Sequence, residues 1–498
     1  MNAAFLVLLN YIEKQGTRLF LLFSVFMPSI LSSQTSTTYF QQQTNYRISV
    51  TLDAEKRMLH AQLHLTYTNN SPDTLSGIWF HLWPNGYKNS QTAFGKQKIK
   101  MGDKSFYFSS DSLRGYIDSL DFSSQSKKLS WKYHPEHIDI AYIQLKYPLH
   151  PSQSVEIETP FRVKIPDAAF SRLGYSGSAF YITQWYPKPA VYDNSGWNLM
   201  PYLDMGEFYA NFGSFDVQIT LPEKYTVAAT GELKTDSELI RLQKIAENSK
   251  HAGAGLQKIP GLSDTDTLKT LQFFQDKVHD FAWFADIDMR IFFDSVFLPK
   301  SNRYVQTRAF CKPESVNIWE DACKYINEAI TFFSKYAGDY PYEHATAFDG
   351  KLGAGGAMEY PMITLIGPVS DKQSLELLVL HEIGHIWFMG MLGFNERKHP
   401  WLDEGLTSFY EFLYIQEKEK QGSFWYSMYE PLIGKHPFPS KAERTLGYNY
   451  QKAYNKNQTV NTASELSHPV NYIAINYQHT AFLWNYLREY LGTEVFDS

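Results

Sequence analysis

Two cysteines in 498 residues, Cys311 and Cys323, exclude a disulfide framework and a cysteine-ligated metal site. Whether they form one bridge or stay as two buried thiols is open at this level. Positive charge is not in excess. The 46 Lys and Arg against 52 Asp and Glu give a net charge of −6, which excludes the basic field of a nucleic-acid or anionic-membrane binder. Beyond the N-terminus no stretch is apolar for long enough to span a membrane. Internal repeats, long low-complexity tracts and blocks of like charge are missing as well. Aromatic residues are plentiful, at 16% within an otherwise ordinary 44% hydrophobic and 20% charged composition. That richness suits aromatic sheets and a lined cleft.

The N-terminus carries a charged region and a short apolar core. Lys14 and Arg18 precede the run from Leu19 to Met27, Ile30 and Leu31 extend it, and Ser32 and Ser33 follow. This is the pattern of a secretory signal over residues 1–33. A second apolar run, Ala3 to Leu9, keeps open a retained N-terminal anchor. An exported protein is expected, whether periplasmic, secreted or tethered through this segment.

From about residue 36 to 295 the chain reads mostly as strand. Tyr46, Ile48, Val50 and Leu52 alternate with polar residues, as do Leu59, Ala61, Leu63, Leu65 and Tyr67, around a turn at Asp53 to Arg57. Phe215, Val217, Ile219 and Leu221 repeat the pattern. An α+β multidomain fold follows, with an antiparallel β-sandwich of saddle-like form over 34–298 and a catalytic domain over 299–498. In the second part Ile318, Ala322, Tyr325, Ile326, Ala329, Ile330 and Phe333 recur at helical spacing, and Gly338 to Pro341 stops them. Tyr342 to Leu365 reads as strands, and 420–470 as short helices and loops.

The chemistry concentrates between Leu377 and Gly405. His381-Glu382-Ile383-Gly384-His385 is an H-E-x-x-H pattern. Two His four apart on a helix point the same way and can share one metal ion. Glu382, about 100° round the helix, reaches a water at that ion as a general base. The flanking residues are apolar nearly all round, so the helix is buried, and burying these polar groups is costly unless they are paired or bind metal. Gly384 is a poor helix residue whose place suggests a close approach by another segment.

Catalytic zinc usually has three protein ligands and an open position. Glu404 lies 18 residues beyond His385, in Pro400-Trp401-Leu402-Asp403-Glu404-Gly405. Pro400 can open a helix whose apolar face is Leu406, Phe409, Tyr410, Leu413 and Tyr414. A helix, a turn and a second helix would return Glu404 to the His pair. Glu411, seven residues on, shares that face and could orient a His from behind. One Zn²⁺ per chain is expected from these ligand types.

H-E-x-x-H, 18 residues and Glu in a W-L-x-E-G context resembles the gluzincin aminopeptidases, the family of aminopeptidase N and the leukotriene hydrolase. The family's G-x-M-E-N motif is matched by Gly356-Ala357-Met358-Glu359-Tyr360, with Tyr360 in place of Asn and 21 residues between Glu359 and His381. The resemblance implies that Glu359 binds the substrate's free α-amine and that the backbone at Gly356 and Ala357 lines the cleft. It implies a catalytic Tyr, best matched by Tyr477 ahead of a helical segment, with Tyr472 as the rival. Tyr181-Ile182-Thr183-Gln184-Trp185 resembles the loop where the family places a Gln or Glu near that amine, which would set Gln184 against the N-terminal residue. The catalytic domain would be thermolysin-like. The chain stops 21 residues after Tyr477, so the family's helical C-terminal domain is expected to be missing.

These readings imply hydrolysis of peptides with a free N-terminus, with no nucleic-acid partner. Two alternatives stand beside it: an endopeptidase or other small-substrate hydrolase on the same zinc site, and a catalytically dead peptide-binding scaffold. Oligomeric state and side-chain preference are not legible.

Overall fold

The structure is a computed structural model that describes residues 39–252, 267–353, 356–418 and 458–497. The signal-like segment 1–33 and most of the loop-rich stretch 420–470 lie outside the described residues. From Gln41 onward the chain forms one compact unit.

Alternation produces the expected hairpin. Gln43–Asp53 and Met58–Thr68 pair antiparallel with Tyr46 opposite Leu65, Ile48 opposite Leu63 and Leu52 opposite Leu59. The turn is held by Asp53 Oδ1 accepting from the Lys56 amide (3.0 Å), and Arg57 takes a positive φ of 57°. The inward-facing residues of the first strand, Tyr46, Ile48, Val50 and Leu52, are all buried. Among the described residues the hairpin belongs to a nine-stranded sheet, and two four-stranded sheets and a two-stranded one complete the N-terminal β region. One feature departs from an all-antiparallel reading: Gln43–Asp53 pairs parallel with Gly213–Pro222, Tyr46 opposite Phe215. Side-chain alternation is the same for either direction, so the sequence pattern could not distinguish them. His81 is fully buried; its ring stacks on Trp83 and its Nε2 accepts from the Met200 amide.

A five-stranded sheet carries the approach to the site, in the order Arg290–Leu298, Arg303–Cys311, His344–Asp349, Ile363–Ile366, Ala357–Tyr360. Strand Arg290–Leu298, which the sequence pattern groups with the N-terminal region, therefore pairs into the sheet that carries Glu359. Ala357–Tyr360 is the edge strand, pairing antiparallel with Ile363–Ile366 on one side only. Cys311 and Cys323 are buried thiols in this region, and the Cys323 thiol donates to the Phe292 carbonyl.

Below this sheet lie three helices. Ala322–Ala337 buries its Tyr325, Ile326, Ala329, Ile330 and Phe333 face and ends at Gly338, whose φ is +91°. Lys372–His385 is capped by Asp371, which accepts from the Ser374 amide, and is buried from Ser374 to its end. It runs straight into a π-helical turn, Ile386–Met391. Pro400–Glu417 begins on its proline, whose missing amide hydrogen costs nothing at a helix start. A second π-helical stretch, Tyr472–His479, precedes the helix Thr480–Leu491. No described helix is long and apolar enough to cross a membrane.

Candidate active site

His381 and His385 come from one face of Lys372–His385, and their rings stand 4.8 Å apart at 81°. Gly384 lets that face be approached. A Cβ there would sit 2.6 Å from Phe333 Cζ and 3.1 Å from Thr407 Cγ2, so the helices on both sides close in where a side chain is absent. The second helix brings Glu404 to the pair. Its Oε2 lies 3.4 Å from His381 Nε2 and 3.6 Å from His385 Nε2, and it is buried without a hydrogen-bond donor among the described residues. Ligand atoms about 2.1 Å from a tetrahedral ion are separated by roughly 3.4 Å. Two imidazole nitrogens and an unbonded carboxylate oxygen at these distances fit zinc in number, chemistry and spacing.

The other face of each imidazole is also held. His385 Nδ1 is 2.6 Å from Asp403 Oδ1, and His381 Nδ1 is 3.4 Å from Glu411 Oε2. A carboxylate that accepts a hydrogen bond from Nδ1–H keeps the ring proton on that nitrogen and leaves the Nε2 lone pair free to bind a metal. Glu411 thus stands where its spacing places it. Asp403 carries no role in the sequence reading, although it directly precedes Glu404 in the first turn of the same helix. Burial alone would lower His381, but Glu404 and Glu411 hold it up at about 10.

Glu382 is buried, lines the cleft and has no hydrogen bond to its Oε2 among the described residues. Burial pushes its carboxyl up to about 7, against the opposing pull of His385 and His381. Tyr477 donates its hydroxyl to Glu404 Oε1, and its ring stacks on His381 with centroids 5.9 Å apart. Tyr472 lines the same cleft with a buried hydroxyl that finds no partner among the described residues, so both tyrosines reach the site.

The cleft has a volume of 390 Å³. One wall is the edge strand, with Gly356, Ala357, Met358 and Glu359; another is the helix face with Leu377, Leu378, His381, Glu382 and His385. The N-terminal β region supplies Met101, Arg172, Asp204, Met205 and Glu207. Glu359 is 7% exposed, and burial holds its carboxyl well above the usual range.

Gln184 is not on this cleft wall. It is 2% exposed, takes a positive φ of 46°, and donates Nε2 to Asp280 Oδ2 (3.1 Å). It faces a small cavity behind Glu359 instead. Two β-region carboxylates do reach the cleft, Asp204 and Glu207, and Glu207 is fixed by Arg172 Nη2 at 2.5 Å. Arg172 in turn donates to the Leu203 and Asp204 carbonyls, and its Nε meets Met358 Sδ. Neither Glu207 nor Arg172 belongs to a motif with a metal or catalytic spacing, so only the folded chain brings them to notice.

Two imidazoles four residues apart, a buried carboxylate between them and a further carboxylate from the next helix form a donor set that could hold one metal ion beside a general base. Residues 322–498 match the Peptidase family M1 domain. Glutamyl aminopeptidase of Mus musculus is 23% identical over 212 residues, covering 40% of this chain and 21% of that protein. Aminopeptidase M1 of Arabidopsis thaliana is 24% identical over 207 residues, covering 39% and 22%. The chain therefore spans about a fifth of the length of these curated relatives. The crystal structure of an M1 zinc metallopeptidase from Deinococcus radiodurans superposes with a TM-score of 0.58 at 16% identity, over 92% of this chain and 85% of that one. The fold is thus that of the two-domain M1 metallopeptidases, a β-rich region followed by a helical one.

Proposed function

We propose that the protein is a zinc-dependent aminopeptidase that removes N-terminal residues from peptides. The observation that carries this reading is the shared cleft: Glu359 opens onto the same space as His381, His385, Glu404 and Glu382. His381, His385 and Glu404 would hold the zinc. Bound there, zinc acidifies the attacking water and polarises the scissile carbonyl. Glu382 accepts the water's proton and passes it to the departing amine, a task suited to a carboxyl poised near neutrality. The Tyr477 hydroxyl, swung from Glu404, donates a hydrogen bond to the carbonyl oxygen as charge collects there. Glu359 holds the substrate's ammonium and so sets the cut after the first residue. Without such an anchor the same centre would cut internally.

The test is hydrolysis of aminoacyl fluorogenic substrates beside their N-acetylated counterparts, before and after chelation and zinc restoration. Cleavage confined to the free-amine substrates, lost on chelation and restored by zinc, is expected. Equal cleavage of the acetylated set would overturn the aminopeptidase reading in favour of an endopeptidase. No turnover by folded, zinc-loaded protein would overturn the enzymatic reading for this chain.

A further inference from the structure

The metal donors, Glu382, the two tyrosines and Glu359 leave part of the cleft without a task. Met101, Met205, Leu377, Leu378, Pro469 and Ile473 line that remainder, and all six are apolar. Met101, Met205, Pro469 and Ile473 are only partly buried, so some of each side chain is open to the cleft. The two methionines come from the β region and share one support. Gln97, on the helix Ala93–Lys100, accepts at Oε1 from the amides of Asp204 and Met205 (2.8 and 3.0 Å) and donates Nε2 to the Met205 carbonyl (2.9 Å). Met101 directly follows that helix, and its amide donates to the Gln97 carbonyl. One residue thus ties both methionines at the backbone. The charges beside this surface are already satisfied. Lys98 Nζ lies 3.0 Å from Asp204 Oδ2 and 2.7 Å from Asp103 Oδ2, and the Ser171 hydroxyl donates to Asp204 Oδ1 (2.7 Å). Among the described residues the cleft lining holds one guanidinium and no ammonium. That guanidinium, Arg172, is committed to Glu207 and to the Leu203 and Asp204 carbonyls.

We propose that Met101 and Met205 form the floor of a subsite for the side chain of the substrate's first residue, and that this subsite selects a large uncharged side chain, aliphatic or aromatic. The placement rests on the aminopeptidase reading. With the ammonium at Glu359, the first Cα is one bond away, and carboxylate oxygens of Glu207 and Glu359 lie within 4.8 Å of each other. Met205 is two residues before Glu207, so its segment is a wall beside that Cα. The class of side chain follows from the lining. An apolar group gains by leaving water for such a surface, and a thioether on a flexible stem adapts to branched chains and rings alike. A charged side chain would lose its hydration there and find no uncommitted partner. An acidic one would in addition face Asp204 and Glu207.

The test is a panel of Ala, Leu, Met, Phe, Lys and Glu arylamides, run on wild type and on Met101→Ala, Met205→Ala and Met205→Leu. Circular dichroism and zinc content establish that each variant is folded and loaded. Wild type should favour Leu, Met and Phe over Ala by about tenfold or more in kcat/KM, and over Glu by about 100-fold. Either alanine variant should lower the Leu-to-Ala ratio about tenfold, and Met205→Leu, which conserves volume, should keep it. A flat panel, a preference for Glu or Lys, or a ratio that no alanine variant moves overturns the proposal. Binding is measured beside turnover, by calorimetry of leucinamide, alaninamide and the α-amide of glutamic acid on zinc-loaded protein. The same order is expected in Kd, with the same response to the variants. Equal affinities, tightest binding of the glutamic acid amide, or no binding of leucinamide overturns it. If wild-type protein turns over no substrate, the aminopeptidase reading fails by itself, and calorimetry still decides the subsite.

Discussion

At the scale of single residues, the centre is defined as much by what holds the imidazoles as by what they would hold. Asp403 and Glu411 each face one Nδ1, so both Nε2 atoms turn to Glu404. The Asp403 contact is the shorter and the more buried. Asp403→Asn should therefore lower zinc affinity by about 10–100-fold, measured by competition with a chromophoric chelator, while helix content stays unchanged. An unaltered affinity would mean that the ring is oriented by packing alone. Glu411 was legible because seven residues make two helical turns and return it to the face of Glu404. Asp403 was not, since a residue next to a ligand points about 100° away on a helix, and only the crossing of two helices shows what it meets.

At the scale of elements, the sequence carried what depends on periodicity and missed what depends on neighbours. The motif helix, its partner from Pro400 and the first hairpin all follow from apolar spacing and from Pro, Gly and Asp at their ends. The parallel pairing of Gln43–Asp53 with Gly213–Pro222 and the π-helical turns after His385 and at Tyr472–His479 have no such signature. Gly384 falls between the two cases. Its poverty as a helix residue was visible, but the reason is the Phe333 ring and the Thr407 methyl against it. Gly384→Ala gains about 1 kcal/mol of helix propensity and meets a ring edge at 2.6 Å. Overpacking of a full core typically costs about 1–3 kcal/mol, so the variant should be less stable, read as a lower denaturant midpoint. A raised midpoint would mean that the Phe333 ring moves aside.

At the scale of the whole molecule, a buried arginine from the metal-bearing half grips the N-terminal β region, and a second one braces the gripped segment from within that region. Arg397, from the loop between the ligand helices, donates to the carbonyls of Pro201, Gly206 and Glu207. Arg172 holds the same segment from the other side through Glu207 and the Leu203 and Asp204 carbonyls. Arg397→Met would leave those carbonyls buried without donors, at about 1–3 kcal/mol each. The expected result is a loss of several kcal/mol in denaturant unfolding, with whatever activity the wild type has lost together with it. A stable variant would show that water replaces the guanidinium. These ties were illegible because Arg172, Glu207 and Arg397 are far apart in sequence and carry no motif. Gln184 shows the converse: a local likeness to a binding loop, turned inward by its own backbone and by Asp280.

The two halves of the site also differ in how the chain must travel to build them. The three candidate ligands and Asp403 come from one helix–loop–helix, so their meeting closes only a short loop. Glu207 and Glu359 meet only after the β region has docked, a contact of high sequence separation that forms slowly. A partly folded chain can thus gather the ligands before it owns a cleft. Bound metal reports on the helix pair alone, and discrimination of a charged N-terminus from a blocked one reports on the finished fold.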